Sequence, residues 1–287
     1  MPQRHSPCQN HILAALPAPQ YHRLLRHLEP VALPLGHVLH PAGERESYLH
    51  FITEGIVSRV HVARNGDSAE FALTGNEGVI GVASILGGDS TPSRAEVVAE
   101  GHAYRLHSRL AKRELENGGP LARLLLRYTL ALLAQAGQIA ACNRHHSLEQ
   151  RLCRWILSSV DRMPSGELAM KQELIAAMLG VRREGISETA SRLRRDGLIR
   201  YSRGHIAVLD RRRMEGRACE CYEAVRREYT RLLPANGGVA QLDARDSRAH
   251  AMMPHPWSAT GPTSRLSAPA WRSPSPCGSA RGFSSPS

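Results

Sequence analysis

The sequence predicts an α+β chain in four parts. An N-terminal β-roll of the double-stranded jelly-roll kind spans 10–118, a long dimerisation helix with its hinge 119–146, a winged helix-turn-helix 147–233, and a disordered tail 234–287. Three observations predict this. Short alternating apolar runs with Gly-rich turns continue to Leu106. An apolar seam of period 3.5 starts at Leu121. Two short helical patterns then meet at Gly180.

The first residues are polar. Asn10 is placed to cap a short helix, His11 to Leu16, and Pro19 to open a second through Leu28. Strands are expected at Val31–Leu33, Val38–His40, Tyr48–Ile52, Ile56–Ala63, Ala69–Thr74, Val79–Gly81, Ala95–Ala99 and Ala103–Leu106. Asn65-Gly66 is a hairpin signal between two of them. Gly118-Gly119-Pro120 then punctuates the chain, and a long helix begins. Its residues Leu121, Leu125, Tyr128, Leu132, Gln135, Ile139 and Cys142 step by four and three. That is the spacing of a two-stranded coiled coil, with Gln135 as its polar register residue. A helix buried on one face against the roll would ask for the same residues; the dimer seam is the preferred reading.

Asn143 to Ser147 reads as a hinge. Leu148, Leu152, Trp155, Ile156 and Val160 form an amphipathic helix expected to pack under the winged helix. Leu174, Ile175, Met178 and Leu179 give the next helix one apolar face, and Ile186, Ala190 and Leu193 give its successor another. Ala176 is small where the two would cross, and Gly180 suits the positive φ of a tight turn. Gly197 stops the second helix, and Ser202-Arg203-Gly204 joins Leu198–Tyr201 to His205–Leu209 as a wing. Arg211 to Leu233 reads as one last helix, and the Pro/Ser/Gly/Ala/Arg composition beyond it as disorder.

The outward face of the second helix of that pair carries Arg182, Arg183, Glu184, Ser187, Glu188 and Ser191. Arg matches the O6 and N7 acceptors of guanine, Glu accepts from the amino group of cytosine, and Ser suits either edge. Lys171 and Arg203 are placed to meet phosphates. Charge agrees: residues 150–235 carry 18 Lys/Arg against 11 Asp/Glu, whereas residues 1–149 are nearly balanced at 14 against 13. A polyanion such as double-stranded DNA is the partner this implies.

A roll, then a seam helix, then a winged helix resembles the Crp/Fnr family of regulators, over roughly residues 10–233 and most specifically over Lys171–Leu209. The resemblance implies a homodimer on a palindromic operator, an effector sensed by the roll, and RNA polymerase as a further partner. It assigns the family's base-reading Arg-Glu pair to Arg183 and Glu184, with Ser187 and Glu188 on the next exposed turn. Gly185 departs from the family's Thr- or Val-like residue and weakens the helix by about 1 kcal/mol. The family's cyclic-nucleotide signature is incomplete. Gly81 is followed by Val82 where a ribose-binding Glu would stand, while Arg94 and Ala95 keep the phosphate-binding pair. No cofactor is evident. The alternative reading is a nucleotide-binding sensory module whose winged helix contacts proteins.

Other constellations are weaker. His5, Cys8 and His11 offer only three ligands in a loose segment. Cys142, His145, His146 and Cys153 crowd the hinge and are read as core thiols and solvated histidines. Cys219 and Cys221, two apart on a helix, are expected to point away from each other. Six irregularly spaced cysteines suggest no disulfide framework and no four-cysteine iron–sulfur site. No metal site and no catalytic constellation is read, so no enzyme is expected. No apolar run of roughly 20 residues is expected to enter a membrane, and a cytoplasmic location is expected.

Overall fold

The computed structural model describes residues 6–202 and 204–234. Two short helices, α1 (His11–Ala14) and α2 (Ala18–Leu25), open the chain. Asn10 fixes them to the roll. Its side-chain oxygen caps α1 through the Ile12 and Leu13 N–H groups, and its amide donates to the Ile52 and Gly78 carbonyls at 2.9 and 2.8 Å.

The roll is an antiparallel sheet of β1 (Glu29–Leu33), β2 (Val38–His40), β3 (Tyr48–Val62), β4 (Ser68–Thr74), β5 (Val79–Ile80) and β6 (Arg94–His107). The path runs β1-β6-β3-β4, with β2 added to β6 and β5 to β3. Two expected strand pairs are single long strands. β3 runs through Thr53–Gly55 and β6 through Glu100–His102, because the ladder between them absorbs the irregularity as bulges rather than breaks. Gly55 sits at this point with φ 87°, and a Cβ there would lie 2.6 Å from the Ala99 carbonyl oxygen.

After α3 (Ser108–Glu116) comes α4 (Pro120–His145), the longest element of the described chain. Here the structure corrects the seam. Leu121, Leu125, Tyr128, Leu132, Gln135 and Ile139 are all buried within the chain itself. The first four pack with Leu49, Phe51 and Leu106 of the roll. Gln135 meets the Tyr229 hydroxyl at 2.8 Å, and the Tyr128 hydroxyl lies 3.0 Å from Thr74 Oγ1. These residues are therefore core. A second stripe, one position round, faces outward: Leu126, Leu130 and Leu133 are 53, 48 and 68% exposed, and Gly137 and Ala140 continue it at the same three- and four-residue steps. Sequence spacing alone cannot tell two such stripes apart, since both repeat every 3.5 residues. With two apolar faces, α4 is also long and apolar enough to cross a membrane by length and composition, contrary to the sequence expectation.

The last part contains α5 (Leu148–Val160), β7 (Glu167–Ala169), α6 (Gln172–Leu179), α7 (Arg183–Arg195), the wing strands β8 (Ile199–Ser202) and β9 (His205–Val208), α8 (Arg211–Arg217) and α9 (Cys221–Leu232). α5 starts at a capping box of Ser147 and Gln150 and packs under the helix pair as expected. β7, three residues long and not foreseen, pairs with β9 and makes the wing a three-stranded sheet. The expected single last helix breaks at Ala218, whose extended backbone (φ −72°, ψ 157°) ends α8. The core of this part continues into the roll, where Ile56, Val60, Leu73 and Val98 pack with Trp155, Met178 and Ile175.

Gly55→Ala is expected to destabilise the fold by about 2–3 kcal/mol, combining a positive φ with a backbone clash. A denaturation midpoint equal to that of the parent would remove the bulge from the list of constraints.

Candidate nucleic-acid interface

The turn between α6 and α7 follows from local chemistry. Gly180 closes α6 in the left-handed region (φ 61°, ψ 44°), and the Val181 N–H returns to the Ala176 carbonyl at 3.0 Å. Ile175, Ala176, Met178, Leu179, Ile186, Ala190 and Leu193 are buried, so the inner faces of both helices are committed to the core. A Cβ at Gly185 would stand 3.0 Å from Leu148 Cδ2, the free end of the side chain that begins α5.

The outer face is charged and exposed. Arg182 precedes α7, and Arg183, Glu184, Glu188 and Ser191 face solvent along it. Ser187 is turned differently. It is half-buried, and its hydroxyl donates to Gln172 Oε1 on α6. Arg183 pairs with Glu173 at 3.1 Å and Glu188 with Arg192 at 2.9 Å. Both pairs are exposed, where an ion pair contributes little and yields to a better partner. Lys171, Gln172, Glu173, Arg183, Tyr201 and Gly204 line one cleft between the starts of the two helices and the wing. Lys171 and Arg183, 12 positions apart in sequence, thus border the same surface. Arg203 lies outside the described residues. Sequence reasoning missed Arg194 and Arg195, exposed on the last turn of α7. It also missed a cleft of about 940 Å³ in which Arg182 and Arg183 share a wall with the β3–β4 hairpin, His61 to Ala69. No local pattern announces a surface assembled from segments over 100 residues apart.

In the roll, Gly81 has φ 105°, and a Cβ on it would meet the Tyr48 carbonyl oxygen at 2.3 Å. Arg94 is engaged by Glu96 at 2.8 Å, and Ala95 is buried. The interior beside them holds groups the sequence did not single out: Glu46, Arg59, His40 and His50, all buried. Glu46 accepts the Ala83 N–H at 3.0 Å, and burial raises its carboxyl above the ordinary value. Burial, then the charge of Arg59, lowers His40 to about 4; burial, then His40, lowers His50 to about 3. The two rings meet edge to face at 5.2 Å.

At the hinge, the sequence grouping is rearranged. Cys153 is buried in the α5 core, where burial pushes its thiol up to about 12, and His145 is exposed. Cys142 and His146 meet Cys219 and Cys221 instead. Cys8 is exposed, and His5 lies outside the described residues.

Comparison with known proteins divides the chain into the same two parts. The family model of the cyclic nucleotide-binding domain matches residues 30–116, and that of the Crp-like helix-turn-helix domain matches residues 150–217. Among solved structures, FixK2 of Bradyrhizobium japonicum is 18% identical with a TM-score of 0.59, covering 67% of this chain and 98% of its own. A transcriptional regulator of the crp/fnr family from Eubacterium rectale is 18% identical with a TM-score of 0.57, covering 75% and 98%. The c-di-GMP responsive regulator CLP of Xanthomonas campestris is 15% identical with a TM-score of 0.55, covering 68% and 100%. No curated protein matches the sequence.

Acid is expected to loosen the roll. His40 and His50 have folded pKa values below the ordinary 6.5, so the unfolded chain binds more protons. The stability they contribute is complete above about pH 6.5 and is lost as pH falls toward 4. Urea midpoints at several pH values should show His50→Leu losing less stability on acidification than the parent; parallel curves would refute a neutral buried His50.

Proposed function

We infer, from a chain that belongs to the Crp/Fnr family of DNA-binding transcription regulators, that this protein works as a homodimer on a two-fold symmetric operator. The observation that carries the reading is the division of α7. Its inner face is wholly buried, while Arg182, Arg183, Glu184, Glu188 and Ser191 stand exposed from its first turn onward. A helix entering the major groove reads bases with its N-terminal side chains. Arg183 and Glu184 are the base readers in this proposal, and Arg182, Glu188 and Ser191 support them. Lys171 takes a phosphate, and so does Arg203, which stands between β8 and β9 in the sequence. Ser187 serves α6 before it serves DNA, since its hydroxyl is already bonded to Gln172.

The proposed dimer uses the outward stripe of α4: Leu126, Leu130, Leu133, Gly137 and Ala140. Exposed leucines at this spacing are the apolar surface that a second copy would cover. Two recognition helices would then address half-sites about 34 Å apart. The roll has Val82 in place of a ribose-binding carboxylate, and Glu46 already takes the Ala83 N–H. In this reading the roll answers to something other than a cyclic nucleotide. The site of action is the cytoplasm, with RNA polymerase as the partner at the promoter.

Selection of bound sequences from a random DNA pool should return a two-fold symmetric motif; a sequence-blind pool at low salt would overturn the reading. Arg183→Ala should cost about 1–3 kcal/mol on the selected operator and relax one base position. Equal loss on random DNA would argue against base reading. Leu133→Glu should leave a folded monomer by light scattering that no longer protects a full operator; an intact dimer would move the interface elsewhere.

A further inference from the structure

The end of α4 and the start of α9 bring together four groups of one chemical kind. Cys142 and His146 stand four residues apart at the end of α4, so both face the same way. Cys219 and Cys221 lie on either side of Glu220, where the chain passes from α8 into α9. On a continuous helix these two thiols would diverge. The extended backbone of Ala218 and the new helix starting at Cys221 turn both inward. All three thiols are buried, at 0, 4 and 0% exposure for Cys142, Cys219 and Cys221.

The ligand atoms Cys142 Sγ, Cys219 Sγ, Cys221 Sγ and a His146 ring nitrogen all lie within 4.8 Å of one another. Cys142 and Cys219 are 3.5 Å apart, and His146 Nδ1 is 3.5 Å from Cys221 Sγ. Zinc–sulfur bonds of about 2.3 Å and zinc–nitrogen bonds of about 2.0 Å at tetrahedral angles place ligand atoms roughly 3.5–3.8 Å apart. We propose that Cys142, His146, Cys219 and Cys221 hold one tetrahedral zinc ion that fastens α4 to α9.

The surroundings support the assignment independently. The other nitrogen of His146, Nε2, lies 3.1 Å from Glu220 Oε1, the carboxylate partner that orients a metal-binding imidazole. Gln138 Nε2 donates to Cys221 Sγ at 3.1 Å, as amides do to metal thiolates. Charge agrees too. Three thiolates and one divalent ion sum to a single negative charge. Arg151 and Arg154, on the facing turns of α5, each have a buried Nε without a hydrogen-bond partner among the described residues. The charge of Arg154 acts on Cys142, and Cys142 and Cys219 act on Arg151. A net anion in the cluster gives those guanidinium groups the counter-charge that neutral thiols do not. With four protein ligands and buried sulfurs, the site is closed to substrate and structural in kind. Its ligand atoms stand close enough for one ion and too close for the wider corners of an iron–sulfur cube. On binding, the zinc sheds its waters and the thiol protons pass to solvent.

The test uses the full chain, purified under reducing conditions from medium containing zinc. Elemental analysis should find about one zinc per chain, retained by Cys8→Ser and reduced below about a tenth in Cys219→Ser. Chelation should lower the melting temperature of the parent protein. Should Cys219→Ser fail to fold, the parent decides alone: its metal-free, reduced form titrated with cobalt(II) should saturate at one equivalent and show the intense visible bands of a tetrahedral thiolate complex. Absence of those bands, zinc content unchanged by Cys219→Ser, an iron–sulfur chromophore, or a Cys142–Cys219 disulfide in the peptide map of unreduced protein would each overturn the proposal.

Discussion

The carboxylate of Glu70 holds the two halves of the molecule in register. It sits on β4 of the roll, 3% exposed, and accepts from Ser58 Oγ at 2.8 Å and from Trp155 Nε1 at 3.1 Å. The first bond lies within the sheet; the second reaches α5, the helix beneath the helix-turn-helix. Burial raises the Glu70 carboxyl, while Ser58, Arg154, Trp155 and Arg162 pull it back toward the charged form. A polar group this deep is tolerable only when its bonds are complete. The completeness depends on α5 lying where it does. Met178, also 3.2 Å from Ser58 Oγ, and the Ser68 bond to the Ala177 carbonyl extend the same contact to α6. The exposed, charged face of α7 is thus tied to a side chain of the roll, two layers away.

What was legible in the sequence was local. Ala176, Gly180 and Ile186 sit at fixed offsets on adjacent helices, and each was assigned from spacing alone because turn, crossing and core all fall within one stretch. Asn10 as a cap and Asn65-Gly66 as a hairpin turn were legible for the same reason. Errors arose where two solutions share a period or where no residue marks a boundary. The two stripes of α4 share one period, and only the positions of the roll and of α9, both distant in sequence, decide which one is buried. The break at Ala218 has no proline or glycine in it; the glycine nearby, Gly216, lies inside α8.

The candidate sites divide along the same line. Arg183 and Glu184 could be singled out because they adjoin in one short run, and the structure leaves both exposed at the start of α7. Glu46, Arg59, His40 and His50 were not, because each is unremarkable in its own segment and becomes a cluster only when the roll closes. Cys142 and Cys219 are 77 positions apart, and their meeting depends on the helix break that the sequence did not signal. Separation along the chain, more than chemical subtlety, set the limit.

Asn10 carries a consequence for the order in which the molecule assembles. Its amide nitrogen bonds carbonyls of Ile52 and Gly78, 42 and 68 positions later in the chain. A ribosome releases the N-terminal end first, so α1 emerges with no place to dock until β3 and the turn before β5 have been made. The opening segment therefore docks only after those later elements have emerged, and not as it is made.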